Sequence, residues 1–100
     1  MKILQVLPRR GNKQGLKALL NAKERALRNR GTTFYRKRAG RWAHTAYHGW
    51  INWSEAQGGI LVAEIHSKAA DAEWQLLKAF VGYLDRHLAD HIESITVTYR

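Results

Sequence analysis

The sequence predicts a single α+β domain: a ferredoxin-like split βαβ sandwich, one mainly antiparallel sheet with two helices on one face. Three observations predict it. Two segments of helical periodicity are separated by a stretch of strand-like segments, and strand-like runs also lie at both ends of the chain. Two apolar runs, Ile3–Leu7 and Ile60–Ile65, are apolar on both strand parities, as central strands are. The region between the helices is rich in aromatic and β-branched residues punctuated by Gly. One hundred residues suffice for one domain, 1–100, and a 45% hydrophobic composition with four Trp and four Tyr can build a core unaided.

The elements follow in order. Lys2–Leu7 reads as a strand covered on both faces or nearly so and stopped by Pro8, which cannot continue a ladder. Residues 8–15 form a basic loop in which Asn12 is positioned to cap a helix. From Lys13 to Asn29, Leu16, Leu19, Leu20, Ala26 and Leu27 line one side, with Arg28 and Arg30 favourable to the helix dipole and Gly31 suited to the left-handed position beyond. Thr32–Arg38 and Arg41–Tyr47 read as a hairpin around Ala39-Gly40, and Trp50–Trp53 as a strand or a packed loop. Gly58-Gly59 marks a turn before Ile60–Ile65. Ala69–Ala89 carries the strongest helical stripe, through Trp74, Leu77, Val81, Leu84 and Leu88, widened by Leu76, Phe80 and Tyr83. Ile92–Tyr99 alternates as a half-buried strand. Read as β-α-β-β-(β)-α-β, the chain places its first strand and 60–65 centrally. The sheet face away from the helices is left open to the hairpin's basic and aromatic side chains.

Charge is the strongest functional signal. Residues 1–50 hold thirteen Lys or Arg against the single acid Glu24, while residues 51–100 hold four against seven acids; the whole chain carries +9. Such asymmetry creates a one-sided positive field suited to nucleic acid, an acidic protein or an anionic membrane face. No Cys is present, which excludes a disulfide framework, a thiol nucleophile and a thiolate zinc site. The apolar start is too short for a signal core and no stretch approaches membrane length, so the expectation is a cytoplasmic protein without membrane contact.

The five His belong to different predicted elements, and the spacing of His87 and His91 is met by the helix ending between them, so no metal and no cofactor is expected. Gly11–Gly15 lacks the nucleotide-loop signatures. Arg9, Arg10 and Lys13 beside the helix start nevertheless mark a possible anion site. Tyr35, Arg36, Lys37, Arg38, Arg41 and Trp42, joined by Trp50 and Trp53, form the expected partner-binding surface, in which rings stack or anchor and cations track acidic groups.

Trp50–Trp53, Gly58–Glu64, Glu73–Leu77, Phe80, Leu84–His87 and Ile92–Tyr99 together resemble small α+β immunity proteins of bacterial polymorphic and contact-dependent toxin systems. The resemblance implies a non-enzymatic inhibitor that neutralises a cognate toxin, here one with an acidic surface because the chain is basic. Two alternatives stand beside it: a basic domain binding RNA or single-stranded DNA, and a small basic endoribonuclease using His44, His66 or His87.

Overall fold

The computed structural model describes every residue except Asn29, Gly31 and Thr32. The expected cap at Gly31 and strand start at Thr32 therefore lie outside the described residues. The elements are β1 (Lys2–Pro8), α1 (Leu16–Leu27), β2 (Phe34–Arg38), β3 (Arg41–His44), β4 (Trp50–Glu55), β5 (Leu61–His66), α2 (Ala70–Leu88) and β6 (Ile92–Tyr99). Short 3-10 turns at Gln57–Gly59 and Ala89–His91 complete the set.

The six strands form one antiparallel sheet in the order β2-β3-β4-β5-β1-β6. β1 runs antiparallel to both β5 and β6, so β5–α2–β6 is a split βαβ unit with β1 in its gap. All four segments read between the helices are strands, one more than β-α-β-β-(β)-α-β holds, and they form a meander from β2 to β5. Trp50–Glu55 is a full strand rather than a packed loop. β3 is shorter than expected: it stops at His44, and the chain bends from Thr45 to Gly49 before β4 begins.

Alternation assigns the two faces. Leu4 and Val6 pair with Ala63 and Leu61, Ile65 with Ile51, and Ile51 with Trp42, all buried on the face that carries both helices. Leu16 and Leu20 of α1 and Leu76, Phe80 and Leu84 of α2 close over this face in one continuous core. Trp42 is fully buried at its centre, edge-on to Trp53 at 5.8 Å, Phe80 at 6.1 Å and Tyr83 at 5.3 Å. Edge-to-face pairs of this kind contribute about 0.5–1.5 kcal/mol each beyond their buried area. β1 and β5 are central, but only one of their faces is covered. Ile3, Leu7 and Val62 remain half-buried on the opposite side.

Three local expectations are corrected. α1 begins at Leu16, because Gly15 is extended (φ −64°, ψ 151°) and serves as its cap. Asn12 does not cap the helix. Its amide donates to the Gln14 carbonyl at 2.7 Å and its side-chain oxygen lies 2.9 Å from His91 Nδ1, tying the basic loop to the end of α2. Trp74 lies on the predicted stripe yet is 44% exposed, because Leu76, Phe80 and Tyr83 take the core-facing arc.

Candidate functional site

The hairpin sequence divides its basic and aromatic residues between two surfaces. Residues of one parity, Phe34 and Trp42, enter the core; those of the other, Tyr35, Arg41 and Ala43, lie on the side of the sheet away from the helices, where Ala43 is buried beneath its neighbours. Tyr35 pairs with Ala43 across β2 and β3, and Trp50 with His66 across β4 and β5. Continuing the β3–β4 register beyond Trp42 and Ile51 sets Ala43 beside Trp50. The result is a transverse row, Tyr35–Ala43–Trp50–His66, in which Ala43, 4% exposed, lies between two rings two strand spacings, roughly 10 Å, apart. A cleft of about 380 Å³ opens there, lined by Tyr35, Lys37, Arg41, Ala43, Tyr47 and Trp50 among others.

Several contacts fix this row. The Trp50 ring stacks on His66 (5.2 Å between centroids, 13° between planes), and the Arg41 guanidinium lies 5.2 Å from the Trp50 centroid. Arg41 Nε also donates to Asn52 Oδ1 at 2.8 Å, and His66 Nε2 lies 3.0 Å from Glu64 Oε1. Lys37 Nζ sits 5.8 Å from the Tyr35 ring centre. Each cation thus rests against a ring, which desolvates its stem and holds its charge in place. Gly49 admits β4 to this position: its φ is 126°, and a Cβ there would stand 2.1 Å from the His66 carbonyl oxygen. Only glycine fits.

Arg36, Lys37 and Arg38 meet a second demand. The β2–β3 register shifts between Arg36 and Arg38, and Arg38 comes to lie opposite Arg41. Like charges facing each other across a ladder are destabilising. None of the ion pairs among the described residues involves Arg36, Lys37, Arg38 or Arg41. Arg28, Arg36, Lys37 and Arg38 line one shallow cleft at the β2 edge. On the helix side, Lys17, Arg25 and Arg36 line a groove of about 310 Å³. A continuous cationic path therefore runs from the open face, around the β2 edge, to α1.

The structure places the remaining expected site residues elsewhere. Trp42 (0% exposed) and Trp53 (5%) are core residues, since the alternation that exposes Tyr35 buries them, although Trp53 also lines the Lys17–Arg25–Arg36 groove. Trp50 is on the uncovered face. Of Arg9, Arg10 and Lys13, all exposed, Arg9 is turned toward β6. Arg9 donates to the Ile92 carbonyl at 3.1 Å, and the Glu55 carboxylate already lies against Gly15, 2.6 Å from where a Cβ would stand. A carboxylate there meets the positive end of the helix and repels another anion. The sequence singled out His66 only for the ribonuclease alternative, and did not single out Ala43, Tyr47 or the α1 residues Lys17 and Arg25. Only the sheet register and the packing of α1 bring them to the path.

The other histidines have structural surroundings. His44 packs edge-on to Phe34 at 4.9 Å and stacks on Tyr47; its Nδ1 accepts from the Ala46 N–H at 2.9 Å, and burial holds its pKa below the ordinary value. His87 packs on Tyr83, and burial, with Lys23 and Arg86 nearby, depresses its pKa as well. Burial and the charge of Glu24 push the Tyr83 hydroxyl up to about 12. Among the described residues, no group of three or more His, Asp or Glu is placed to hold a metal ion. No helix among these residues is long and apolar enough to cross a membrane. No family model matches the chain, and no curated protein or solved structure matches it either.

Proposed function

We propose that this protein is a non-enzymatic binding domain for single-stranded nucleic acid, which it holds on the uncovered sheet face and around the β2 edge. The observation that carries the reading is the row Tyr35–Ala43–Trp50–His66 with Lys37 and Arg41 fixed beside its rings. Any base offers a π-face to such a row, while cations alongside follow the phosphates. The unpaired charges of Arg36, Lys37 and Arg38 fit the same role, because phosphate would relieve their mutual repulsion.

The toxin-inhibitor reading draws on a narrower basis. It needs a large aromatic and Arg anchor, and with Trp42 and Trp53 in the core that anchor reduces to Tyr35, Arg41 and Trp50. The Arg41–Trp50 pair is nonetheless of the type that anchors protein contacts, and keeps an acidic protein as the second reading.

The test is titration of mixed-sequence RNA and DNA oligonucleotides, single- and double-stranded, at two salt concentrations, with RNA integrity followed on a gel. Single strands should bind more tightly than duplex, with affinity falling steeply as salt rises. Tyr35→Ala, an exposed change, should weaken single-strand binding by roughly tenfold through loss of one stacking platform. Absence of binding at low salt would turn attention to an acidic protein partner. Cleavage abolished by His66→Ala would make the domain a ribonuclease built on the His66–Glu64 pair.

A further inference from the structure

We propose that β6 and the adjoining flank of α2 form a two-fold interface with a second copy of this chain, joining the two sheets edge to edge. β6 lies at the end of the sheet opposite β2, so the outer row of its backbone N–H and C=O groups has no strand partner among the described residues. It is eight residues long, pairs with β1 without irregularity from Ser94 to Tyr99, and carries one charged side chain, Glu93. Proline, lysine and bulges are the devices that keep edge strands from pairing, and they are absent along this stretch.

The surface beside it is apolar. A cleft of about 550 Å³ runs between α2 and β6, lined by Trp74, Leu77, Val81, Ile95, Val97 and Tyr99. Trp74 is 44% and Tyr99 69% exposed, although both are large enough to be worth burying.

Charge identifies the occupant. Lys78 and Asp85 also line this cleft, and neither belongs to an ion pair among the described residues. They are two helical turns apart, roughly 10 Å along α2, one on each side of Val81 and Gly82. The midpoint of β6 falls at Ile95–Thr96, and Val81 and Ile95 line the same cleft. A two-fold axis through Ile95 pairs Ser94 with Thr96 of the other copy and keeps Ile95 and Val97 on the helix side in both. The same axis sets Lys78 of each copy beside Asp85 of the other. One positive and one negative group equidistant from a centre is the pattern a self-complementary surface requires. Gly82 is exposed at that centre, and a Cβ there would meet nothing within 4 Å, so the helices have room to approach.

Sedimentation velocity on the full chain at about 100 μM should give a dimer of the 11.5 kDa protomer. Lys78→Asp and Asp85→Lys should each weaken self-association at least tenfold, because each sets like charges together twice. An equimolar mixture of the two variants should restore the dimer, since every pair is then complementary. Circular dichroism melting of both variants, changed only at exposed positions, verifies that they remain folded. A monomeric wild-type chain, a dimer indifferent to Lys78→Asp, or a mixture that stays monomeric would each overturn the proposal.

Discussion

The two edges of the sheet solve opposite problems. β2 is five residues long, has one buried side chain, Phe34, and displays Tyr35 to Arg38 to solvent across a register shift. β6 is eight residues long, nearly uncharged, regular from Ser94 to Tyr99 and flanked by exposed Trp74 and Tyr99. Charge and irregularity make β2 a poor template for another strand, and the same features suit it to phosphate. The lack of both leaves β6 open to a strand. One sheet thus has a cationic, irregular edge and a nearly uncharged, apolar one, and the two proposed roles fall on opposite edges.

The largest expected effect breaks the β2 edge from behind. Phe34 is 2% exposed and packs on Trp42, Phe80 and Tyr83. Phe34→Ala should destabilise the fold by about 3–5 kcal/mol, read by thermal or urea melting. A loss below about 1 kcal/mol would mean that the edge is not anchored through this ring.

Next in size, Arg36→Glu combined with Arg38→Glu should lower oligonucleotide affinity about a hundredfold at low salt and reduce the salt dependence by about two phosphate contacts. Both residues are exposed, so melting should change by no more than about 1 kcal/mol. Unchanged affinity would remove the β2 edge from the binding path and leave only the open face.

The smallest effect is the response to pH. His44 and His87 have folded pKa values below their unfolded ones, so the unfolded chain takes up protons first. Their contribution is fully present above the unfolded value, near pH 6.5, and declines as pH falls from there toward the folded value. Glu73 is held below the usual carboxylate range by its hydrogen bond to Lys2 and by the N-terminal ammonium, against the opposing effect of burial. Its contribution persists to lower pH and is lost as pH falls through the depressed value. Melting temperature should therefore decline in two stages on acidification. Replacing His44 by Asn, behind the β2 edge, should flatten the first stage; an unaltered slope would assign it to His87 alone.

The sequence by itself determined much of this. Helical periodicity located α2 to within one residue at each end, and strict alternation located β6 at Ile92–Tyr99. Two-sided apolarity identified β1 and β5 as central strands, and the charge asymmetry pointed to the hairpin. These signals are local: a period or a charge count needs no knowledge of what lies opposite. Tertiary structure alone decided which tryptophans are core, because the face of a strand is set by register with its neighbours. One residue of phase separates exposed Tyr35 from buried Phe34, and Arg41 from Trp42. It also decided that Ala43 lies between the Tyr35 and Trp50 rings and that His66 stacks on Trp50. Lys17 and Arg25 join the cationic path only because α1 packs beside β2 and β4. Glu55, forty residues from Gly15, occupies the helix start that the basic loop was expected to offer an anion. Contacts made across the sheet settle each of these points, and a linear pattern carries no record of them.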